Sequence, residues 1–350
     1  MSDTRPVSPA ETDDERAADV ALRPQRLNEF VGQRGVQEQV RILVEAARQR
    51  EEPVDHILLY SPPGLGKTTL AQIIANEMGV TARLTSGPAL EHQGMLASIL
   101  TSLEDRDVFF IDEVHRLNHA VEEALYPAME DLAFDFVAGK GAGAQTLRLT
   151  LQRFTVIGAT TRAGALGGPL RDRFGVTFRL DFYDADDLVQ IATRSAGLLG
   201  VELEPDGAEL LARRSRGTPR IVNRLLRRAR DYAQVRADGR IDAAVAAAAL
   251  DVLGVDNAGL DELDRRVLGV LTGTLRGHPV GVQTIAVSVQ DDAETIEDVV
   301  EPFLIRAGLL ARTPRGRVAT ASGYRHLGLE PPAGALGAEV SSSQAELFHT

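Results

Sequence analysis

Between about Leu22 and Phe182 the chain alternates short unbroken apolar runs, "HILLY", "DVFFID" and "FTVIGATT", with stretches of helical spacing such as "TTLAQIIANEM" and "AVEEALYPAME". Unbroken runs predict strands buried on both faces, and the helical stretches predict crossovers between them. The pattern is that of an α/β domain, a parallel sheet with helices on both faces. From 184 to about 255 the spacing is helical only, which predicts an all-α domain. From 256 to about 330 short helical stretches lead into a strand-turn-strand, "GLLARTPRGRVATA". Residues 1–19 and 331–350 have no periodicity and read as a disordered arm and a disordered tail. The domains expected are therefore 20–183, 184–255 and 256–330.

Composition adds limits rather than detail. There is no cysteine, so disulfides and thiolate zinc sites are excluded, as suits a reducing cytoplasm. The most apolar run, "IDAAVAAAALDVL", is shorter than the ~20 residues that span a bilayer, and the acidic N-terminal segment lacks a signal-like apolar core. A soluble, cytoplasmic protein is expected. With 38 basic and 50 acidic side chains the net charge is −12, so any contact with nucleic acid must be local.

The candidate chemistry begins after the first apolar run. "HILLYSPPGLGKTTLAQIIANEMG" is a strand, a Gly/Pro loop and an amphipathic helix, the context a P-loop requires. Loop and helix N–H groups would surround phosphates, Lys67 would reach the β and γ oxygens, and the Thr68 hydroxyl is placed for Mg2+. Gly64 and Gly66 let the backbone approach closely. Ser61 stands where the pattern has its first glycine, and a left-handed Ser61 would cost about 1–2 kcal/mol. "DVFFIDEVHRL" is a buried-type strand ending on two acids: Asp112 suits a cation and Glu113 can polarise an attacking water. His115 and His119 have i, i+4 spacing, but "HRLNH" lacks the glutamate of a zinc helix, so they read as surface or packing residues. Thr160 and Thr161 end the next apolar strand. A hydroxyl there could bond the γ-phosphate or the lytic water; two threonines in a turn is an equal reading.

The blocks "LRPQRLNEFVGQ", "TSGPALE", "FIDEVHRL", "LYPAMED", "IGATTRAGAL", "PLRDRFG", "RGTPRIVNRLLRR" and "RTPRGRVAT" follow in one order from about Leu22 to Gly328. Together they resemble the AAA+ ATPases, and among those the RuvB family of motors that drive branch migration of Holliday junctions. The resemblance implies a P-loop domain, a helical lid and a C-terminal winged helix. It implies that Leu22, Arg23, Thr69, Tyr183 and the segment Glu130, Asp131, Leu132 meet ATP, that Thr161 is sensor 1, and that Arg220 is sensor 2. In "PLRDRF" it assigns the arginine finger to Arg173, which would complete a neighbour's site and so imply a homohexamer ring. Arg171 is expected to pair locally with Asp172 or Asp181.

The would-be recognition helix of the winged module, "AETIEDVVEPFLIRAG", carries Glu294, Glu297, Asp298 and Glu301, and phosphates would repel it. The basic residues are on the wing instead, Arg312, Arg315 and Arg317. By themselves they read as a solvated turn, but the resemblance matches Arg312 and Arg317 to DNA-contacting positions, so contact with phosphates is expected there through these three. "FDFVAGKGAGAQTLRLTLQ" alternates apolar and polar residues about a Gly-rich turn, which predicts a β-hairpin. By the resemblance this hairpin docks RuvA, here through Leu147 and Leu149, and RuvC joins through the junction complex. In the tail, Gln344, Leu347 and Phe348 resemble the peptide that binds the replication sliding clamp; a plain polar tail is the simpler reading. Two other classes weighed less. A clamp-loader-like switch predicts a different finger box, and a winged-helix transcription regulator predicts a basic recognition helix.

Overall fold

A computed structural model describes residues 20–138, 145–274 and 277–336. The expected arm 1–19, the tail residues Gln344, Leu347 and Phe348, and the side chain of Leu147 lie outside the described residues. The chain divides into two compact units, Arg23–Ser61 with Leu65–Phe182, and Tyr183 onward with Leu22 and Pro62–Gly64.

The first unit is built on a five-stranded sheet in the order β2-β3-β6-β1-β7. Its strands are β1 (Ile57–Tyr60), β2 (Ala82–Ser86), β3 (Val108–Asp112), β6 (Thr155–Thr160) and β7 (Val176–Arg179), and every pairing is parallel. All six residues of β6 are buried, because it is central and covered on both faces. One apolar layer packs Leu58, Phe109, Ile111 and Val156 of the sheet against Val121, Leu125 and Phe134. Between β3 and β6 the expected hairpin forms from β4 (Ala133–Ala138) and β5 (Gln145–Thr150), antiparallel, with Phe134 opposite Leu149. Phe134 is wholly buried and Leu149 is exposed.

In the second unit, helices Ala185–Leu199, Pro205–Arg214, Pro219–Arg236 and Ala243–Val252 form the expected lid. It is not purely helical: two-residue strands β8 (Glu202–Leu203) and β9 (Arg240–Ile241) pair in parallel. The winged helix follows, with Glu262–Gly269, Val282–Val289 and a helical run from Ala293 to Arg306. Its wing is β10 (Leu310–Thr313) against β11 (Gly316–Ala319). Val280 pairs with Arg317 as a third edge. The run from Ala293 widens to π geometry over Ile296–Val300, just before Pro302, whose missing N–H cannot bond back to the preceding turn and whose ring crowds it.

Candidate functional site

The order β3-β6-β1 puts the ends of three strands side by side, and the chemistry sits on those ends. Tyr60, the last residue of β1, pairs with Thr160, the last of β6, and Ile111 pairs with Gly158. Everything leaving the carboxyl ends of β1, β3 and β6 therefore opens onto one edge, where parallel sheets bind ligands.

From β1 the chain enters the loop 61–66. Gly64 (φ 80°) and Gly66 (φ 102°) are left-handed, which explains glycine at both. Ser61 is not among the residues with positive φ, so the strain considered for it does not arise. It is buried instead, and Lys67 Nζ donates to its carbonyl (2.9 Å) and its hydroxyl (3.1 Å). Serine thus replaces glycine and adds an acceptor for the P-loop ammonium. Thr68 and Thr69 follow, half-buried, in the first turn of Lys67–Met78, where helix N–H groups and the dipole favour anions.

From β3, Asp112 accepts the Glu113 N–H through Oδ1 (2.9 Å). Glu113 is left-handed (φ 48°), a conformation that costs a non-glycine residue about 1–2 kcal/mol. The strain turns the chain at once into the 3-10 turn Val114–Arg116. Gly87 makes room for it, since a Cβ there would stand 2.5 Å from the Glu113 carbonyl oxygen. Arg116 Nη1 reaches Glu113 Oε2 at 3.1 Å on the exposed side.

From β6, the two threonines separate. Thr160 ends the strand, fully buried; its hydroxyl lies 2.9 Å from His115 Nδ1 and accepts the Arg162 N–H at 3.0 Å. Thr161 is half-buried just past the strand. The two histidines also separate: His115 is in the 3-10 turn, and His119 opens helix His119–Asp131, exposed and 3.7 Å from Glu123. They share no helix, so the i, i+4 spacing does not set them on one helical face. Sequence reasoning had no signal for the His115–Thr160 contact, which joins residues 45 apart.

Arg173 lies in its own domain against the last helical turns before the hairpin. Its guanidinium is 3.1 Å from Glu130 Oε1, 4.2 Å above the Tyr126 ring, and donates to the Pro169 carbonyl at 2.5 Å. Burial, together with a hydrogen bond to Glu122, pushes the Tyr126 phenol up to about 12, so it stays neutral beside the arginine. Next to Arg173, the Phe174 ring packs on β6 at Gly158, where a Cβ would stand 2.8 Å from it. Arg171 makes no bridge to Asp172 or Asp181, which corrects the expectation. It donates to the carbonyls of Ala163 (3.1 Å) and Leu166 (3.0 Å), and Asp181 pairs with Arg179. The reason is local: the 3-10 turn Ala163–Ala165 brings the carbonyls of Ala163 and Leu166 close enough for one guanidinium nitrogen, Nη2, to bridge them. Asp131 holds Arg148 of β5 at 2.9 Å, and Leu132 (φ 52°) ends the helix. Arg23 offers its carbonyl to Gln25.

In the second unit Leu22 is buried and its carbonyl accepts Arg194 Nη1 at 2.7 Å. Tyr183 is buried, and its N–H donates to Gly217. Arg220 is half-buried at the second position of Pro219–Arg236. Sequence reasoning missed Arg216, which is wholly inside. It is left-handed (φ 59°), donates to the Gly259 carbonyl and to Asp264, and lies 4.2 Å above the Phe303 ring. Its own carbonyl accepts Arg306. A lid residue thereby holds two helices of the winged module.

The wing arginines divide. Arg312 and Arg315 are exposed; Arg317 is buried, bonded to Glu301 and 2.8 Å from Glu297. Arg312 also lies 3.7 Å from Glu297, so the acidic helix meets the wing at two of its arginines. The acidic helix has its explanation here, because Glu297 and Glu301 face the wing and hold Arg317.

The site places a P-loop, an acid pair and a threonine tip on one sheet edge, and three family descriptions match in series. They are the Holliday junction DNA helicase RuvB P-loop domain over residues 22–180, the RuvB AAA lid domain over 183–256 and the RuvB C-terminal winged helix domain over 257–328. The chain belongs to the RuvB family. It is accordingly an AAA+ P-loop ATPase of the branch-migration helicase class. A RuvB of Acidothermus cellulolyticus, a "Holliday junction branch migration complex subunit", is 59% identical over 93% of this chain and 89% of its own. Its counterpart in Chloroflexus aurantiacus is 56% identical over 99% of this chain and 100% of its own. The solved structure of the Thermotoga maritima RuvB motor is 49% identical and covers 89% of this chain and 100% of its own, with a TM-score of 0.81. Among the described residues no helix is long and apolar enough to cross a membrane.

Proposed function

We propose that the protein is the ATP-driven motor of Holliday junction branch migration in recombination and DNA repair, acting in the cytoplasm as a homohexamer ring on duplex arms. The observation that carries this reading is the shared edge of β1, β3 and β6, with Lys67, Asp112, Glu113 and Thr161 on it, in a chain that matches RuvB domains throughout.

Lys67 holds the β and γ phosphates, Glu113 orients the attacking water, and Thr161 bonds the γ-phosphate or that water. Thr68 and Asp112 supply hard oxygen donors of the kind Mg2+ takes beside phosphate oxygens, so the residues present suit that ion. Its charge would neutralise developing negative charge on the phosphates. Leu22, Arg23, Thr69, Tyr183 and the segment Glu130, Asp131, Leu132 border the nucleotide, and Arg220 couples the lid to its state. Arg173 enters the neighbouring subunit's site, exchanging Glu130 for phosphate. RuvA docks on the β4–β5 hairpin through Leu147 and Leu149, and RuvC joins through the junction complex. Arg312, Arg315 and Arg317 form the wing's contact with DNA phosphates, Arg317 also fixing the wing's position through Glu297 and Glu301.

The test is ATP-dependent migration of a synthetic four-way junction with and without RuvA. Migration that needs ATP is expected; an intact ATPase with no migration under either condition overturns the motor. For Gln344, Leu347 and Phe348, titrating the free tail peptide against the sliding clamp decides between a clamp contact and a plain tail.

A further inference from the structure

We propose that His115 is a positioning residue of the ATPase site, holding the turn that carries Glu113 in register with the β6 tip that carries Thr161. The inference rests on the ATPase reading above.

The turn is attached to β6 at two points. Val114 is buried with its side chain against Gly158, close enough that a Cβ on Gly158 would stand 3.3 Å from it. His115 reaches Thr160, two residues further along the same face of the strand. Glu113 supplies the geometry, because its left-handed backbone sends the following 3-10 turn back over the sheet edge. A change in the angle of that turn therefore moves the Glu113 carboxylate and the β6 tip together.

The hydrogen-bond inventory fixes the direction of the contact. Thr160 is wholly buried, and its hydroxyl oxygen accepts the Arg162 N–H. The hydroxyl proton needs an acceptor, and among the described contacts of Thr160 that acceptor is His115 Nδ1. The imidazole is therefore assigned its proton on Nε2. The Thr160 hydroxyl is thus doubly used: it turns the chain at Arg162, directly beyond Thr161, and it ties that turn to the acid strand. Removing the imidazole leaves a buried hydroxyl proton without a partner and frees the loop that presents Thr161.

Steady-state ATP hydrolysis and equilibrium binding of ATP by the full chain test this, using His115→Ala, His115→Asn, Thr160→Val, Thr160→Ser and the double variant His115→Ala/Thr160→Val. An asparagine amide can occupy the place of Nδ1, and serine keeps the hydroxyl. His115→Ala and Thr160→Val should each lower kcat about 10-fold or more, with KM and ATP affinity within about twofold. The Asn and Ser variants should recover most of the loss, and the double variant should be no worse than the poorer single. Unchanged kcat, a loss seen in KM alone, no recovery with Asn or Ser, or losses that multiply would each overturn the proposal. Thr160→Val, similar in volume, carries the test if His115→Ala melts early. Lys67→Ala and Glu113→Gln separate the two readings. Should both controls hydrolyse ATP at full rate, the ATPase site itself is misassigned; if both are inactive while His115→Ala is unaffected, only the role of His115 falls.

Discussion

Arg173 and Glu130 form an ion pair of 3.1 Å within one domain, stacked on Tyr126. The guanidinium proposed to serve a neighbour is thus oriented by its own subunit. Arg173→Ala should slow ATP turnover of the assembled protein by about 10³-fold or more, the usual worth of a finger supplied in trans. Mixing Arg173→Ala subunits with Lys67→Ala subunits should restore part of the activity, since some interfaces then combine an intact P-loop with an intact finger. Steady-state ATPase across mixing ratios reads this directly, and a flat line at the level of the separate variants would mean that Arg173 does not act across an interface.

The two exposed wing arginines and the buried one should behave differently. Arg312→Ala with Arg315→Ala should weaken binding to every duplex sequence alike and reduce the slope of log K against log salt by about 2, one contact each. Arg317→Ala should also lower the melting temperature, because it strands Glu301 in the interior; breaking such a pair costs about 3–5 kcal/mol. Filter binding over a salt series and calorimetry distinguish the two effects.

Arg216 should matter more at high pH than at low. Burial raises the Asp264 carboxyl to about 7 even against the attraction of Arg216. Without that cation, Asp264 must either ionise unpaired or keep a proton that solution increasingly withdraws as pH rises. Arg216→Ala should therefore lose more stability relative to the parent protein at pH 8 than at pH 6. Thermal melts at the two values check the sign; equal losses would show that packing on Phe303 dominates.

His56 gives the opposite slope. Its Nδ1 accepts the Val156 N–H (2.9 Å), its Nε2 lies 3.1 Å from the Met129 carbonyl, and burial lowers its pKa below the ordinary 6.5. The folded state holds it neutral, while the unfolded chain protonates it near 6.5. Its contribution is complete above that value and is lost as pH falls from there toward the folded pKa. His56→Gln should flatten the acid side of the stability profile, measured by urea melts between pH 5 and 8.

Much of the site was legible in the chain because its signals are local. A strand, a loop with glycines at 64 and 66 and a helix opening at Lys67 are contiguous, and so is a strand closing on Asp112 and Glu113. Ser61 shows the limit: the pattern marked it as a departure, but its value as an acceptor for Lys67 appears only once the loop folds back.

The sequence by itself determined the periodicities that set the strands and helices, the phosphate-binding loop, the acid pair and the winged module at the end, all of which depend on neighbours a few positions apart. Only the tertiary structure decided which charges are usable. It buried Arg317 against Glu297 and Glu301, set Arg173 on Glu130, made Arg216 the tie between lid and winged helix, and brought His115 to Thr160. The physical reason is that a guanidinium or imidazole takes its role from the partner it meets and the water it loses, and both are fixed by residues distant along the chain.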